Sequence, residues 1–447
     1  MNKLGVFMKL PEKPPFIGSY DYRVVQDDLV QMNKFQAFID FIENDYYYWD
    51  KWKYIAQNWK YDSKKLWYAV KVHRISHTVL KPFGRDGFTF EIRVPAIIQK
   101  YLHEFDLNLV GSLSANNIIP SEDRDRYLIS SLMEEAIASS QLEGAATTRK
   151  VAKQMLENNR KPQNHSEQMI LNNFLAMKWI VEHKNENITI SRLKELHQIL
   201  TNNTLPNENE AGAFRKDNQV KVVDTQTGNI LHRPPSFEQL DELMEDFCKF
   251  ANDKDKTAFF IHPIYKAIIL HFLIGYIHPF VDGNGRTGRT IFYWYLLKKG
   301  YWLLEYISVS RIILNSKSQY ARAYLHTEFD KNDLTYFVVY NLKCIHLALE
   351  DLKKYIQRKT SEKQHIISIL RNTDFNDRQI ALIQDILQDS TTFFNVQQIQ
   401  TRFNVSNQTA RNDLNILEEK GILQSRKSGH KIQFLPTKNY LKKLGVK

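Results

Sequence analysis

The chain has 447 residues, which exceeds what one hydrophobic core supports and predicts about two to four domains. With 43% hydrophobic and 25% charged residues and only 16 Gly and 13 Pro, the composition excludes disordered, collagen-like and repeat-built proteins. The net charge of +11 is spread along the chain, so a solvated basic surface accounts for it as well as a nucleic-acid surface does.

Signals for membranes and secretion are missing from the sequence. Lys, His or Gly interrupts each long apolar run before the roughly 18–20 residues that a bilayer requires. The opening segment MNKLGVFMKLPEKPP has no apolar core of signal-peptide length. Cys248 and Cys344 are too few for a disulfide framework and fit a reducing compartment. We therefore expect a cytoplasmic protein with no membrane partner.

The N-terminal part, residues 1–110, is rich in aromatic residues and contains no motif with evident chemistry. Alternating residues near Phe83–Ile97 predict a short strand or hairpin. We interpret residues 1–110 as a docking or packing module.

Helical patterns dominate from Ser121 onward. A Ser N-cap, acidic residues after it and a terminal Gly144 predict a helix over this first segment. Two β-type runs around a Thr-Gly-Asn turn, Val220–His232, predict a hairpin that stops at Pro234. The segment that begins at His262 is apolar nearly all round, which predicts the central buried helix.

The segment with the most chemical information follows that helix and reads HPFVDGNGRTGR, His278–Arg289. Its glycines match the dinucleotide fingerprint G-x-G-x-x-G, and Gly283 onward nearly matches the P-loop with Arg289 in place of Lys. Both motifs require a β-strand directly before the loop. Here a helix precedes the loop, which argues against both.

The residues of this loop still favour a phosphate ligand. Gly283 and Gly285 allow a sharp turn and a close approach of the backbone, and the loop leads into a helix N-terminus that favours an anion. Arg286 and Arg289 lie on one face of the first helical turn and can reach phosphate oxygens. A plain turn between two helices would explain the glycines but not the arginines.

Two further side chains of the loop carry chemistry. Asp282 supplies a hard oxygen suited to Mg²⁺ that bridges phosphates. His278, held before Pro279 at a forced helix end, is a base at neutral pH, and we expect the two nearby arginines to keep it neutral.

The loop resembles the Fic-domain signature H-P-F-x-[DE]-G-N-G-R-x-x-R at every fixed position, and the likeness extends over about Ser121–Tyr355. The resemblance implies an enzyme that transfers AMP from ATP to a Ser, Thr or Tyr hydroxyl of an unidentified target protein. Doc-type kinases lack this arrangement, which favours AMP transfer over phosphate transfer. The implied roles are His278 as general base, Asp282 as Mg²⁺ ligand, Gly283, Asn284 and Gly285 as the cradle of the α- and β-phosphates, Arg286 on the β-phosphate, Arg289 on the γ-phosphate, and Phe280 as a buried anchor.

The segment SSQLEG, Ser139–Gly144, resembles the inhibitory motif [ST]-x-x-x-E-[GN] of one class of Fic proteins. The resemblance implies that Glu143 pairs with Arg289 and blocks the γ-phosphate. A surface glutamate at a helix end is the plain alternative. Some relatives use this glutamate to remove AMP, so a deAMPylating hydrolase stays open.

The C-terminal part follows a long predicted helix and a polar stretch, residues 359–376. Helix–turn–helix spacing and two strand-like runs around Ser428 predict a winged helix over residues 376–447. It holds eleven Lys/Arg against six Asp/Glu. Winged helices bind DNA or dock proteins, and both stay open here. The candidate DNA contacts are Asn407, Gln408, Arg411 and Asn412 on the second helix and Arg426, Lys427 and Lys431 on the wing.

The expected fold class is mainly α: a helical Fic core with a β-hairpin flap, plus a C-terminal winged helix-turn-helix. The expected domains are residues 1–110, 111–358 and 376–447. The flap is placed to bind a target segment as an added strand, or simply to cover the site. We expect modification of the protein by itself, and the resemblance implies a homodimer. The alternatives are the hydrolase and a DNA-binding regulator whose Fic core senses nucleotide.

Overall fold

The computed structural model describes residues 2–4, 10–16, 18, 20–75, 78–80, 89–109, 124–224, 227–254, 260–371, 374–388, 392–428, 431–437 and 439–444. The chain divides into two compact units: Met1–Asn117 with Arg126–Glu350, and Ile118–Asp125 with Asp351–Lys447. The architecture is mainly helical, as expected. None of the described helices has both the length and the apolar composition that crossing a bilayer requires.

The helices and strands are short except for a few long helices. In chain order the helices are α1 (Tyr22–Gln31), α2 (Phe35–Asp40), α3 (Trp49–Asn58), α4 (Ser63–His73), α5 (Ala96–Leu109), α6 (Arg124–Leu142), α7 (Arg149–Glu157), α8 (His165–Glu182), α9 (Ile190–Thr201), α10 (Leu240–Ala251), α11 (Pro263–Ile277), α12 (Asn284–Lys298), α13 (Val309–Leu314), α14 (Lys317–Phe329), α15 (Thr335–Arg371), α16 (Asp377–Gln388), α17 (Val396–Phe403), α18 (Asn407–Glu419) and α19 (Tyr440–Lys443). The strands are β1 (Asn2–Leu4), β2 (Thr78–Leu80), β3 (Phe90–Ile92), β4 (Val222–Asp224), β5 (Ile230–His232), β6 (Leu423–Ser428) and β7 (Lys431–Pro436).

The helix pair α11 and α12 forms the centre of the first unit. Helix α11 is buried on nearly all sides, which confirms the prediction from its apolar sequence. His262 caps its start by accepting a hydrogen bond from the Ile264 amide at 3.3 Å, and Pro263 fills the first position, where no amide donor is needed. The helix ends at Ile277, and His278 caps it with a φ of +52°, because Pro279 disfavours helical backbone in the residue before it.

The predicted hairpin is present as the antiparallel pair β4–β5, in which Val222 lies opposite His232 and the register shifts after Val222. We call this pair the flap. Strand β1 pairs with β4 in parallel, so the sheet order is β1-β4-β5. A second small sheet joins β2 and β3 in antiparallel register, which confirms the strand predicted near Ile92; residues 81–88 lie outside the described chain.

The aromatic N-terminal segment packs on the start of α15 through a buried polar network. The Asp333 carboxylate accepts a hydrogen bond from the Tyr46 hydroxyl at 2.6 Å and lies 3.6 Å from Nε of Arg93. Three residues earlier in the chain, Asp330 accepts hydrogen bonds from Lys71 Nζ at 2.9 and 3.0 Å. Asp333 is completely buried, and burial on its own would raise the pKa of this carboxyl, but Arg93 and the other neighbours outweigh it and hold the pKa below its usual value.

The second unit contains a helix–turn–helix and a two-stranded wing. Helix α17 ends at Asn404 in left-handed backbone, with φ +49°, and α18 begins three residues later. Strands β6 and β7 pair in antiparallel register from Leu423 with Pro436 to Ser428 with Lys431. Its core is apolar, formed by residues that include Leu382, Ile399, Leu414, Leu417 and Phe434.

Several finer predictions can be checked at helix ends. Gly144 has φ +96°, as expected for a glycine that ends α6. The predicted N-cap Ser121 and the wing tip at Gly429 lie outside the described residues. Helix α15 continues to Arg371, through part of the polar stretch predicted to mark a boundary. Lys, Gln, Glu and Arg are good helix formers, so a polar composition alone does not end a helix.

Replacing Asp333 with Ala should destabilise the first unit. The substitution removes the buried carboxylate that accepts from Tyr46 and faces Arg93, which keeps the partly exposed Glu91 at 2.7 Å; loss of one partner of a buried ion pair typically costs about 3–5 kcal/mol. All seven tryptophans lie in the first unit, so their fluorescence in a urea titration reports the free energy of unfolding of that unit. Exposed Asp27 on α1 supplies the control, because Asp27→Ala should change it by less than about 0.5 kcal/mol. Equal stability of the two variants would contradict the role of Asp333.

Candidate active site

His278 lies at the junction between α11 and the loop, with only 5% of its surface exposed. Its Nδ1 lies 2.9 Å from the carbonyl oxygen of Gly275. A carbonyl only accepts, so Nδ1 carries the proton and Nε2 is left as the basic nitrogen. The backbone carbonyl of His278 accepts a hydrogen bond from Nε of Arg215 at 2.9 Å, which fixes the residue in its left-handed conformation.

Burial lowers the pKa of His278 to about 4. That value is the net result: the charges of His232 and Arg215 also lower the pKa, whereas the hydrogen bond to Gly275 and the charge of Asp282 raise it. From the sequence, we expected Arg286 and Arg289 to keep this imidazole neutral. The imidazole is neutral near pH 7, but burial is the main cause. The charged groups that contribute are His232 and Arg215, not Arg286 and Arg289.

The loop is braced from inside by Asn284 and Phe280. The Asn284 side chain accepts from the Phe280 amide at 3.0 Å and donates to the Phe280 carbonyl at 2.8 Å. The Phe280 ring is fully buried and stacks on the imidazole of His197 at 3.7 Å between centroids. His197 also bonds to the Asp282 carbonyl at 2.8 Å through Nε2. Both polar atoms of Asn284 are therefore used within the loop.

Arg286 is a buried cation with incomplete pairing. It is 1% exposed and donates from Nη1 to the Leu200 carbonyl at 2.7 Å. Its Nη2 lies 3.9 Å from the Asp282 carboxylate, and its Nε has no hydrogen-bond partner among the described residues. Burial lowers the pKa of Arg286. A buried guanidinium with an unpaired donor favours an added anion.

Arg289 donates hydrogen bonds to residues at the C-terminal end of α6. Its Nε donates to the Ser139 hydroxyl at 2.9 Å, and its Nη2 donates to the Ser139 carbonyl at 2.9 Å and to Glu143 Oε1 at 2.8 Å. A Cβ placed on Gly285 would collide with the same Glu143 oxygen. The carboxylate of Glu143 therefore lies directly against the first turn of α12, where the backbone is open to an anion.

Asp282 projects from the loop with half of its side chain exposed. Among the residues that the structure describes, no group of three or more His, Cys, Asp or Glu side chains is placed to hold a metal ion. Mg²⁺ commonly keeps several waters and takes one or two carboxylates together with substrate phosphates. A single exposed carboxylate beside the glycine turn fits that mode of binding.

A cavity lies between the flap, the loop and α14. Its lining brings the basic histidine, the glutamate and the glycine turn together with both flap strands and the face of α14. The lining residues are Glu143, Val222, Leu231, His232, Gly275, His278, Gly285, Tyr320, Ala321, Tyr324, Leu325 and Glu328.

The sequence model of the Fic/DOC family matches residues 187–296, which include the whole loop. The chain contains a Fic domain. A DeoR-like helix-turn-helix model matches residues 378–431 of the second unit. These two matches confirm the predicted Fic core and C-terminal helix-turn-helix.

Curated relatives are similar to the Fic part of the chain. Protein adenylyltransferase Fic of Nematostella vectensis is 37% identical over 118 residues, which cover 26% of this chain and 25% of the relative. The Aedes aegypti protein of that name is 30% identical over 219 residues, covering 48% and 39%. The chain thus spans between a quarter and two fifths of the length of these relatives. A solved Fic family protein from Desulfovibrio desulfuricans G20 is 19% identical with a TM-score of 0.48, covering 76% of this chain and 94% of that one.

Several residues that hold the Fic loop from a distance were not predicted from the sequence. Arg215 donates to the carbonyls of His278, Asp217 and Pro235. His232 on β5 bonds to Glu328 at 2.8 Å and to the Tyr276 carbonyl at 2.7 Å. Lone polar residues outside a motif carry no sequence signal for such contacts. The other missed residues are His197, which braces the loop, and Lys317, which donates to the carbonyl of Gln141 at the end of α6.

His278 should remain neutral well below pH 6.5. Because burial depresses the folded-state pKa from 6.5 to about 4, the unfolded chain binds the proton more readily. The stability from this group is complete above about pH 6.5 and is lost as the pH falls towards 4. Histidine ring signals in carbon-13 NMR, with His278→Asn for assignment, should show a midpoint near 4. A midpoint between 6 and 7 would refute the buried neutral state.

Proposed function

We propose that this chain is a protein adenylyltransferase that transfers AMP from ATP to a hydroxyl of a target protein. The observation that carries the proposal is the neutral His278, which faces one cavity together with the glycine turn that precedes two buried arginines. A base beside an anion site is what nucleotidyl transfer to a hydroxyl requires. The Fic domain and the relatives named protein adenylyltransferase support it.

The proposed reaction uses the contacts of the loop. Nε2 of His278 takes the proton of the incoming hydroxyl, whose oxygen attacks the α-phosphorus, and pyrophosphate leaves. The amides of Gly283 and Gly285 hold the α- and β-phosphates at the start of α12, where the helix dipole favours negative charge. Arg286 and Arg289 neutralise the β- and γ-phosphates. For Asn284, bracing of the loop is the contact seen, and phosphate contact stays a prediction.

Mg²⁺ is proposed as the cofactor, with Asp282 as its protein ligand. When bound, the ion would neutralise phosphate charge and orient the leaving group. The exposed carboxylate of Asp282 lies within 3.9 Å of Arg286, so cation and guanidinium would share one phosphate-binding region.

The proposed resting state is inhibited by Glu143. Its carboxylate occupies Arg289 and the space above Gly285, both of which the phosphates of a productive ATP need. A ligand shifts such an equilibrium only by its difference in affinity for the two states. ATP therefore competes with an internal carboxylate, and the enzyme is expected to be slow until Glu143 is displaced.

Glu143→Gly and His278→Ala test the function together. Removing the internal carboxylate should raise AMP transfer by at least about tenfold, because each 1.4 kcal/mol of competition is a factor of ten. Adding His278→Ala should lower it by at least about 100-fold, the usual contribution of a general base. Mass spectrometry after incubation with ATP and Mg²⁺ locates AMP on the chain itself or on added protein.

The controls of this experiment are Glu157→Gly and His103→Ala, both at exposed positions. Neither should change the rate by more than twofold. An unchanged rate in Glu143→Gly would contradict inhibition, and full activity without His278 would contradict the mechanism. Loss of AMP from a modified protein that depends on Glu143 would instead support the hydrolase.

DNA binding by the second unit is a separate candidate function, favoured by the DeoR-like match. Asn407, Gln408, Arg411 and Asn412 are all exposed on the first half of α18, the position of a recognition helix. Arg426 and Lys427 are exposed on the wing. Homodimer assembly and a cytoplasmic location stay predictions.

Arg411→Ala should weaken DNA binding by about 1–3 kcal/mol if α18 enters a groove. Fluorescence anisotropy with a labelled duplex of mixed sequence, repeated at several salt concentrations, measures this loss. Arg402→Ala is the matched control, because Arg402 is exposed on α17 and already paired with Asp385. Binding that is absent, or insensitive to Arg411 and to salt, would favour a protein-docking role.

A further inference from the structure

The flap carries a third strand that belongs to the chain itself. β1 pairs with β4 in parallel over three residue pairs, Asn2 with Val222, Lys3 with Val223 and Leu4 with Asp224. It therefore covers the edge of β4 that faces away from β5. An uncovered strand edge presents unpaired amide and carbonyl groups and is a template for another strand.

The two sides of the flap are not equivalent. On the β5 side, Leu231 packs against Ala321 and Leu325 of α14, and His232 bonds to Glu328 and to the Tyr276 carbonyl. Val222 of β4 lines the cavity that also contains His278, together with Leu231 and His232 of β5 and the face of α14. A strand added to the outer edge of β4 therefore lies next to a strand of that cavity, on the side away from β5.

The sequence around β1 lacks side chains that could accept AMP. Residues 1–18 contain no Ser, Thr or Tyr. A segment bound along β4 in place of a target therefore offers no hydroxyl from this stretch to accept AMP.

We infer that β1 is a built-in pseudosubstrate, which occupies the target-binding edge of the flap and must leave before a target segment pairs with β4. The inference rests on the proposed adenylyltransferase activity. It adds a second internal competitor, directed against the protein substrate, beside Glu143, which competes with ATP. Three residue pairs form few hydrogen bonds, each of modest net worth, so a longer target strand displaces β1.

Introducing a hydroxyl tests whether β1 lies in the substrate position. Asn2→Ser, Lys3→Ser and Leu4→Ser are each made in the full chain carrying Glu143→Gly. The new serine oxygen attacks the α-phosphorus of ATP, the bond to the β-phosphate bridging oxygen breaks, pyrophosphate leaves, and the proton passes to His278. Mass spectrometry should find AMP on the new serine of at least one variant, at a rate unchanged by tenfold dilution.

Leu10→Ser is the matched control, because Leu10 is exposed and outside β1; its serine should stay unmodified. The inference is overturned when none of the three β1 serines is modified although the Glu143→Gly chain transfers AMP elsewhere. No transfer to any acceptor overturns the proposed function as well.

A second measurement tests competition directly. Successive amides of a strand point to opposite edges, so the double variant Lys3→Pro/Leu4→Pro removes at least one donor that faces β4, whereas Lys3→Ala/Leu4→Ala keeps both. With the nonapeptide MNKSGVFMK as acceptor, the proline variant should lower the KM for peptide about tenfold relative to the alanine variant, a difference of about 1.4 kcal/mol. The kcat and the KM for ATP should be equal in the two chains. Equal KM values for the peptide would also overturn the inference.

Discussion

A buried guanidinium without an anion is costly, and Arg289 places that constraint at the centre of this protein. It is 3% exposed, and it donates hydrogen bonds to Ser139 and Glu143. Removing one partner of a buried ion pair costs several kcal/mol, so a negative partner beside Arg289 stabilises the folded chain. In the resting chain that partner is Glu143. In the proposed active state it is a phosphate, and the same constraint would then serve both the proposed inhibition and the proposed catalysis.

The candidate site could be proposed from the sequence where chemistry is concentrated in neighbouring residues. His278–Arg289 are contiguous, so a helix end, two glycines and two arginines describe the anion site before any tertiary contact is known. The buried helix α11 was equally clear, because an all-apolar helix has only one environment available to it. The pairing of Glu143 with Arg289 came from resemblance, since no local rule joins residues that are 146 positions apart.

What the sequence did not predict depends on contacts between distant segments. Arg215 and His197 hold the loop through carbonyls and a stacked ring, and neither stands in a pattern that marks it. Nothing in the sequence distinguishes the buried Asp333 from an exposed loop aspartate, because its partners Tyr46 and Arg93 come from distant segments. The pairing of β1 with β4 is likewise invisible, because three residues have no usable periodicity. The neutral state of His278 was attributed to two arginines, whereas its main cause is burial, which depends on the fold.

Two groups that a substrate would contact are satisfied by the chain itself. Glu143 fills an anion site, and β1 fills a strand edge. Leaving either empty would expose buried donors or an unpaired strand, which is unfavourable or prone to aggregation. Internal occupants solve both problems, and they also set a threshold. A ligand shifts the equilibrium towards the bound state only by the free energy with which its binding exceeds that of the internal contact. The strength of each internal contact, more than the chemistry at His278, then determines how readily the protein would become active.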